Sequence, residues 1–515
     1  MNPVIESATP FDRSILWELH HAYFANRGIE AWKAGEIPFF STSNAAYATQ
    51  HARLFQAHVK DLEAAGLVAP GAPVTVMECA GGVGVFAANF LFAIDDMDPA
   101  LAARVHYVFT DYVAKNVLQA VAAAPLARWY RAGKVIPARF DVTRPSELQV
   151  LDGTTVPDKP VFVICNYLCC VLPMKHLSLR GGSEWNELMV TVGGIADDEG
   201  AVDRESFLAS IARNPTRKGL MEQVDVVWDW EPTELVRVLP DPRHQQAIVR
   251  AIDNVPEATV GWPVRYFDFL AGVESLLHEG GAVLTSDFGT NDRRKLAGRT
   301  TGRPHLYGNT LNQPVNMSLF SAWAEVTGLH LLSTVEDLTS LNSALTSRRA
   351  FGPAVAAAFP ALYMRLGAGD DVLDYWAAAI HFHQGKEHLR SLRFWLRCAD
   401  LDKRNPEHRY RLGEAAIELG QPDRAVIHLL IGYDLDVDFA WDFDFQLGRA
   451  YAMAGDHASA IKWYELSAVR EATVTWTNLG VIQMHQGLFA DAYHSLRQRY
   501  ASTRATASPS SACTA

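Results

Sequence analysis

Ten residues near position 80 have the types and spacing to bind a ligand that carries both a positive and a negative charge. They run from Glu78 to Ala87, read Glu-Cys-Ala-Gly-Gly-Val-Gly-Val-Phe-Ala, and follow a strand-like run at 74–77. The glycines allow a tight turn and let a ligand approach the backbone, where a Cβ atom would block it. The helix expected after the turn offers free N–H groups to a carboxylate or phosphate. Because Glu78 adds a negative charge for an ammonium group, S-adenosylmethionine (SAM), which has an ammonium and a carboxylate, is the predicted ligand.

A dinucleotide site is the main alternative, because Gly82-x-Gly84-x-x-Ala87 also fits the loose G-x-G-x-x-G/A pattern. That pattern expects an acid about 20 residues further on, which binds the ribose of the nucleotide. The next acid at a predicted strand end is Asp111, which lies 27 positions after Gly84. A strand, turn and helix that bind no ligand form the remaining alternative.

The chain from 74 to about 350 alternates strand and helix patterns, which predicts a parallel α/β sheet with crossover helices. Ligands of such sheets bind beyond the carboxyl ends of the strands, so polar residues at those ends are candidates for one site. The predicted strands are 74–78, 105–110, 135–140, 161–166 and 282–287. The polar residues at their ends are Glu78, Asp111, Asp141, Asn166 and Asp287.

Two further segments accompany the predicted sheet. Residues 1 to about 70 contain apolar residues at helical spacing, which predicts a helical N-terminal segment. The distance between the strands ending near 166 and 287 is too long for one crossover helix, so residues 174 to about 260 are predicted to form an insertion. An insertion beside the ligand edge is suited to act as a substrate lid, and a structural appendage with its own core is the alternative.

Residues 370–500 carry a repeat of helical character. The turn glycines lie 35, 35 and 32 residues apart at Gly385, Gly420, Gly455 and Gly487. Leu-Gly pairs, small residues and bulky residues recur at matching positions, which resembles the tetratricopeptide repeat, with three clear repeats and a degenerate first one at about 371–404. Such repeats stack into a concave surface that binds peptides or other domains, and formation of a homodimer or packing within the chain is the alternative. The tail at 501–515 is predicted to be disordered.

The bulk composition is that of an ordinary globular protein with room for two or three domains. The 515 residues are 49% hydrophobic and 20% charged, and a formal net charge of -12 argues against a nucleic-acid partner. We recognise neither a signal peptide nor a membrane-spanning window, and six cysteines fit a reducing compartment, so a cytoplasmic protein is expected. In the cluster Cys165, Cys169 and Cys170, Cys165 belongs to a predicted buried strand; the cluster is interpreted as apolar packing, so no metal is expected.

Four short segments occur in the same order as in one known family. The turn at 78–84 is similar to the family's Glu-Leu-Gly-Ala-Gly-x-Gly, and 166–174 is similar to Asn-Glu-Leu-Leu-Asp-Ala-Leu-Pro-Val. Residues 185–190 are similar to Trp-x-Glu-x-x-Val, and 286–289 to an Asp-Tyr-Gly that follows a late strand. On these motifs, residues from about 35 to 350 resemble the MidA-like methyltransferases. The resemblance implies a Rossmann-like class I methyltransferase fold, SAM as methyl donor, and a relation to the mitochondrial complex I assembly methyltransferase, which modifies an arginine side chain.

This resemblance also implies roles for individual residues. Contacts with the amino-acid end, ribose and adenine of SAM are expected from Glu78, Ala80, Gly81, Gly82, Gly84, Asp111 and Asp141. Asn166 and Tyr167 are expected beside the methyl group, and the substrate is expected near Trp185, Asp287 and His305. Ala80 stands where the family has its first loop glycine, and Tyr167 and Cys170 stand where it has two acids that could hold a guanidinium.

The function expected from these features is methyl transfer from SAM to a protein or peptide side chain, with arginine as one candidate, that the repeats help to recruit. Methyl transfer from a sulfonium needs an aligned nucleophile and exclusion of water rather than covalent catalysis. The two changed acids keep open an inactive methyltransferase-like scaffold whose repeats bind a partner protein. The same motifs are also compatible with a small-molecule methyltransferase, and the glycine pattern is compatible with a Rossmann oxidoreductase.

Overall fold

The computed structural model describes the chain in stretches that cover most of its length. They are residues 4–33, 40–123, 126–193, 204–213, 224–298, 304–307, 310–335, 341–364, 372–436, 441–470 and 473–506. The chain divides into two compact units, one made of Met1–Ser43 with Tyr47–Ala368 and the other of Asn44–Ala46 with Gly369–Ala515. Among the described helices, none combines the length and apolar character that crossing a membrane requires.

The described strands all lie before residue 348. They are β1 Val4–Pro10, β2 Val74–Cys79, β3 Val105–Asp111, β4 Val135–Phe140, β5 Leu148–Val150, β6 Phe162–Asn166, β7 Lys175–Arg180, β8 Glu184–Gly193, β9 Asp225–Thr233, β10 Ala258–Trp262, β11 Ala282–Thr290, β12 His305–Tyr307, β13 Thr310–Asn312, β14 Val315–Asn316, β15 His330–Ser333 and β16 Leu341–Ser347. The helices of the same region are Ile15–Arg27, Glu30–Lys33, Phe40–Ser43, Ala45–Ala64, Val85–Met97, Pro99–Arg104, Ala114–Ala122, Ala127–Arg131, Arg204–Arg213, Leu235–Val238, Pro242–Ala251, Val264–Gly272, Ser318–Thr327 and Pro353–Tyr363.

The larger sheet of the described residues has nine strands in the order β15-β16-β11-β6-β2-β3-β4-β5, with β14 paired to β11. Strands β11, β6, β2, β3 and β4 run parallel, whereas β5 and β16 pair antiparallel with their inner neighbours. The five strands predicted from the sequence are these five parallel strands, so the predicted α/β sheet is confirmed. Because helices cover both faces of parallel strands, such strands are recognisable as continuous apolar runs.

Alternate side chains of the parallel strands enter two separate cores. Met77 and Val108 lie in the core on one face of the sheet, and Val76, Tyr107 and Phe162 lie in the core on the other. This alternation is the period of two that any strand imposes on its side chains. Since both faces are covered, a ligand can reach the polar residues of these strands only at their ends.

The prediction that residues 1–70 are helical is wrong for their first segment. Strand β1 pairs antiparallel with β8, and the register joins Val4 to Gly193 and Pro10 to Met189. Ile5 is buried in the core beneath this sheet, which supplies the stabilisation that a seven-residue edge strand lacks by itself. Among the described residues, the helices Ile15–Arg27, Glu30–Lys33, Phe40–Ser43 and Ala45–Ala64 follow, as expected from apolar residues at helical spacing.

The described residues of the predicted insertion at 174–260 form antiparallel strands together with the helices Arg204–Arg213, Leu235–Val238 and Pro242–Ala251. In the described residues, β1, β8, β7 and β10 follow one another in a five-stranded sheet, and β9 pairs with the other edge of β8. Strands β7, β8 and β10 are joined by the registers Leu179↔Trp185 and Leu179↔Ala258. An antiparallel sheet of this kind can be built within a continuous segment, because short connections suffice between its strands.

The C-terminal unit consists of helices that follow one another in pairs. Its described helices are Val372–Gln384, His388–Leu401, Pro406–Glu418, Pro422–Leu435, Phe443–Ala454, His457–Arg470, Thr473–His485 and Phe489–Thr506. A Cβ atom on Gly448 would lie 2.6 Å from the ring of Tyr464, so the glycine of the Leu-Gly pair lets the two helices of one pair approach closely. This is the arrangement that the tetratricopeptide pattern predicts. The last helix extends to Thr506, beyond the predicted start of the tail, and 507–515 lie outside the described residues.

Candidate active site

A cavity of about 690 Å³ lies at the carboxyl ends of β2, β3, β4 and β6, and its volume is typical of small-molecule sites. Four strands that are neighbours in the sheet therefore contribute to one wall. Eight predicted site residues line the cavity, namely Glu78, Ala80, Gly81, Gly82, Asp111, Asp141, Asn166 and Tyr167. The parallel order of the strands brings these residues together although they are far apart in the sequence.

The turn after β2 leaves no room for a side chain at Gly81 or at Gly84. A Cβ atom on Gly81 would lie 2.2 Å from the ring of Phe109, and one on Gly84 would lie 2.9 Å from the side chain of Leu126. Gly84 has a φ of 76°, which favours glycine, and it is the N-cap of helix Val85–Met97. Gly84 does not line the cavity, so its role is to shape the turn rather than to contact a ligand.

Two residues beside the cavity have left-handed backbone conformations without being glycine. Ala80 has a φ of 57° and Tyr167 a φ of 49°. Such a conformation costs about 1–2 kcal/mol for an L-residue, and strain of this kind is concentrated at functional sites. The N–H of Tyr167 donates to the carbonyl oxygen of Ser286 at 3.0 Å, and this bond holds the turn that follows Asn166.

Glu78 is a buried carboxylate that faces the cavity. Only 3% of the residue is exposed, and the Tyr107 hydroxyl donates to its Oε2 at 3.0 Å. Burial raises the pKa of Glu78 to about 8, the hydrogen bond from Tyr107 opposes this rise, and the charge of Asp111 adds to it. A buried carboxylate in this state favours the approach of a cation, because a positive group would stabilise its charged form.

Asp111 and Asp141 occupy corresponding positions after β3 and β4 but differ in environment. Burial raises the pKa of Asp111 to about 6, although its Oδ1 accepts the N–H of Val113 at 3.0 Å. Asp141 accepts both the N–H and the hydroxyl of Thr143 on Oδ1, at 2.9 and 2.7 Å, and thus caps its own turn. One Asp141 oxygen therefore shapes the backbone, while the residue still lines the cavity.

Asn166 lines the cavity, but the polar atoms of its side chain are buried in the wall. Its amide oxygen and nitrogen are both buried and have no hydrogen-bond partner in good geometry within the described residues. The ring of His51, whose pKa burial lowers to about 3, lies beside this amide. A hydrogen bond between the amide and a substrate would require the side chain to turn.

Comparison with known proteins bears on the ligand of this cavity. A family model described as "Putative S-adenosyl-L-methionine-dependent methyltransferase" matches residues 51–333, which is more than half of the chain. The chain belongs to this family. It is therefore a SAM-dependent methyltransferase, and SAM is its cofactor. No curated protein matches the chain.

The solved structures that resemble parts of this methyltransferase have low sequence identity to it. A COG1565 superfamily member from Burkholderia thailandensis, solved with S-adenosyl-homocysteine bound, is 17% identical, with 68% of this chain and 90% of that chain covered and a TM-score of 0.41. MamA is 18% identical over 30% of this chain and 90% of its own, with a TM-score of 0.27. YrrB, a TPR protein with an unusual peptide-binding site, is 17% identical over 28% of this chain and 73% of its own, with a TM-score of 0.24. All three TM-scores are below 0.5, so the family assignment rests on the family model.

The cavity of the methyltransferase fits SAM by the chemistry of its donors. Glu78 offers a carboxylate to the ammonium of the amino-acid end. The N–H groups of Gly81 and Gly84 donate to Thr110 and Gly81, so the carboxylate of SAM would be favoured by the N-terminal end of helix Val85–Met97, whose Val85 and Phe86 line the cavity. Asp111, at the end of the neighbouring strand, could accept from the ribose hydroxyls, and Asp141, which follows the next strand, is the residue that would lie near the adenine. SAM supplies an electrophilic methyl group, and these residues of the chain bind and orient its donor.

Two of the three predicted substrate residues of the methyltransferase, Trp185 and Asp287, do not line the cavity. Trp185 lies on β8 in the antiparallel sheet, where it pairs with Thr233. Asp287 is fully buried, and its two oxygens accept the N–H groups of Cys170 and Phe288, each at 2.9 Å. These bonds direct the carboxylate to the turn behind the cavity wall. His305 belongs to β12, and its side chain lies outside the described residues.

The insertion does not cover the cavity as a lid within its described residues. The lining jumps from Pro173 to Arg265, so none of the described residues of 174–260 contributes to it. The tryptophans Trp228 and Trp230 pack instead against the core under β1. The described strands of the insertion therefore do not form the predicted lid. Their apolar side chains pack in the cores beside the antiparallel sheet.

The N-terminal segment of the methyltransferase supplies lining residues that the sequence patterns did not indicate. They are aromatic or imidazole side chains, His20, His21, Phe24 and Trp32, and Tyr112 joins them after β3. The only signal in the sequence was the density of such side chains between Trp17 and Phe24. No local pattern shows that this helix lies against the cofactor cavity.

Proposed function

We propose that this methyltransferase transfers a methyl group to a side chain of a protein or peptide that its C-terminal helix pairs recruit. The presence of a cofactor cavity and an array of helix pairs in one chain is the observation that carries the proposal. The array is proposed to be a tetratricopeptide-repeat domain, and such arrays stack into surfaces that bind peptide segments or other domains. A MidA-like identity of the catalytic unit belongs to the same proposal.

The first helices of the last two pairs offer an exposed apolar surface for such a partner. Met453 is 51% exposed, and Val474, Val481 and Met484 are 61, 44 and 50% exposed. The spacing of seven and three residues places the last three on one side of helix Thr473–His485. Exposed apolar side chains grouped in this way favour contact with apolar side chains of a peptide.

The cavity wall beside the predicted methyl position favours a neutral acceptor over arginine. A guanidinium is usually held by paired hydrogen bonds with a carboxylate. The lining residues of this wall are Asn166, Tyr167, Leu168, Val171, Leu172 and Pro173, and none of them is acidic. Asp287, the buried acid behind this wall, is engaged by the N–H groups of Cys170 and Phe288. We therefore propose a neutral nitrogen, oxygen or sulfur acceptor, and we treat arginine as the alternative.

Transfer of a labelled methyl group tests this function. The full chain is incubated with methyl-labelled SAM and soluble protein extract, and the label is followed into protein and small-molecule fractions. We expect labelled protein, with the mass of one methyl group added at a side chain that mass spectrometry identifies. Label that enters small molecules alone would contradict the proposal and support a small-molecule methyltransferase.

Variants of the exposed surface test the recruitment step separately. Val481→Lys with Met484→Lys places charges on the apolar surface and should reduce protein labelling about tenfold or more, while SAM affinity stays unchanged. Val227→Lys is the matched control, because Val227 is 62% exposed on β9 and lies outside the helix pairs. Labelling that survives the double variant unchanged would show that this surface does not recruit the substrate.

A further inference from the structure

Two aromatic side chains of the N-terminal segment lie beside the glycine turn in the wall of the cofactor cavity. Phe24 and Trp32 both line the cavity, and their ring centroids are 5.2 Å apart. Atoms of the Trp32 indole lie 3.5 to 3.7 Å from the point where a Cβ atom of Gly82 would be. Both residues precede the family match at 51–333, so nothing in that match accounts for them.

The fold fixes the positions of these two aromatic side chains. Helix Ile15–Arg27 ends at Gly28, whose N–H donates to the carbonyl oxygen of Phe24 at 3.1 Å. Gly28 has a φ of 62°, and a Cβ atom on it would lie 2.9 Å from the side-chain oxygen of Gln119, so the turn packs closely against helix Ala114–Ala122. The chain reverses there, and Trp32 follows within one helical turn on Glu30–Lys33. The aromatic pair is thus part of the cavity wall.

The same wall adds no opposing charge of its own. His20, which stacks edge-on against Phe24 at 5.0 Å, accepts the N–H of Leu311 on Nδ1 at 3.0 Å. Burial lowers the pKa of His20 to about 3, and burial also lowers the pKa of His21. Both imidazoles are therefore neutral at physiological pH, so helix Ile15–Arg27 adds no positive charge to the cavity beside Phe24. The cations Arg144 and Arg265 that line the cavity belong to other segments.

The covalent structure of SAM places its sulfonium between two anchors that the cavity provides. Glu78 and the start of helix Val85–Met97 would hold the amino-acid end, and Asp111 would hold the ribose, so the sulfonium would lie between these groups beside the glycine turn. Trp32 lies against Gly82 in this turn, and Phe24 lies beside Trp32 in the same cavity. A cation near an aromatic face is attracted by the ring quadrupole, most strongly when water is excluded.

We propose that Phe24 and Trp32 form a cation–π site for the sulfonium, and that this site makes the protein prefer SAM to S-adenosylhomocysteine. The product of methyl transfer is a neutral thioether, so it loses this attraction while it keeps every other contact of the donor. Preference for the charged donor would promote release of the product after each transfer. The proposal concerns the cofactor and does not depend on which acceptor is methylated.

Calorimetric titration of the full chain with three ligands tests this proposal. SAM carries a sulfonium, S-adenosylhomocysteine carries a neutral thioether, and sinefungin carries an ammonium at the corresponding position. In Trp32→Leu we expect the dissociation constants of SAM and sinefungin to rise about five- to thirtyfold. That of S-adenosylhomocysteine should change less than about twofold, because only the charged ligands use the ring faces.

Further variants separate charge recognition from simple apolar cover. Phe24→Leu should act in the same direction as Trp32→Leu, and Trp32→Phe, which keeps an aromatic face, should retain most of the preference for SAM. Trp185→Leu is the matched control, because Trp185 does not line the cavity and its loss should leave all three affinities unchanged. Melting curves without ligand establish which variants fold. If Trp32→Leu does not fold, the comparison of Phe24→Leu with Trp32→Phe tests the proposal in its place. Equal weakening of SAM and S-adenosylhomocysteine, or no change for either ligand, would overturn the proposal.

Discussion

Replacement of Glu78 by glutamine should stabilise the fold and weaken SAM binding at the same time. Burial raises the pKa of Glu78 from an ordinary value of 4.5 to about 8. Between these two values the folded protein holds a proton that the unfolded chain releases, so the free energy of unfolding falls as the pH rises. The contribution of Glu78 to stability is complete below pH 4.5 and is lost as the pH rises through about 8. Over this pH range the free energy of unfolding falls by several kcal/mol, and by about 5 kcal/mol at most.

A glutamine side chain removes this pH dependence, because its amide is neutral throughout and can still accept the hydroxyl of Tyr107. Glu78→Gln should therefore be more stable than the wild type near pH 8, and the difference should shrink towards about pH 5. The same substitution removes the carboxylate that we expect to pair with the ammonium of SAM. A hydrogen bond between charged groups is worth about 1.5–3 kcal/mol, so the dissociation constant of SAM should rise about ten- to hundredfold.

Urea titrations across this pH range and calorimetry with SAM measure both effects. In the wild type near pH 7, Glu78 is mostly protonated, so binding of SAM should release close to one proton. Calorimetry in buffers of different ionisation enthalpy detects this proton, and Glu78→Gln should release none. Glu184→Gln is the control, because Glu184 is exposed on β8 and does not line the cavity. A Glu78→Gln protein that is less stable near pH 8 and binds SAM with unchanged affinity would refute the reasoning.

Three further substitutions test the turn and the repeats. Ala80→Gly should raise the free energy of unfolding by about 0.5–1 kcal/mol in urea titrations and leave SAM affinity unchanged, since glycine relieves the left-handed strain at some cost in backbone entropy. Gly81→Ala should destabilise by about 2–3 kcal/mol and abolish SAM binding by calorimetry, because its Cβ would lie 2.2 Å from the ring of Phe109. In Gly448→Ala the new methyl group meets the ring of Tyr464, so the free energy of unfolding of the C-terminal unit should fall by about 1–2 kcal/mol. Limited proteolysis should then cut this unit faster, and SAM affinity should stay unchanged. An unchanged proteolytic pattern would show that this close approach is not needed.

The parts of the fold that the sequence predicted are those with a local signal. Parallel strands buried on both faces are recognisable as apolar runs, and the glycines of the turn after β2 are explained by backbone geometry alone. The repeat was visible because the same contact recurs along the chain, as between Gly413 and Leu429 and between Gly448 and Tyr464. Each of these patterns is complete within a few tens of residues.

The parts that could not be predicted depend on partners far away in the sequence. Strand β1 is defined by its register with β8, which no pattern within Val4–Pro10 indicates. Trp185 belongs to a motif that suggested the substrate, yet antiparallel pairing holds it in another sheet. Asp287 follows an apolar run as expected, but the direction of its carboxylate is set by the N–H of Cys170. Such outcomes depend on tertiary contacts rather than on local propensity.

The two acids of the cavity distinguish between the ligands that the glycine turn alone leaves open. Asp111 has a pKa of about 6 and is mostly ionised at neutral pH, and its charge adds to the burial that keeps Glu78 protonated. An ammonium beside Glu78 would lower the pKa of Glu78, because the cation stabilises the charged carboxylate. Glu78 would then release its proton. The pyrophosphate of a dinucleotide would instead bring further negative charge next to Asp111 and raise the pKa of Glu78 again. The acid pair therefore favours a ligand whose cationic end can stabilise the charged form of Glu78.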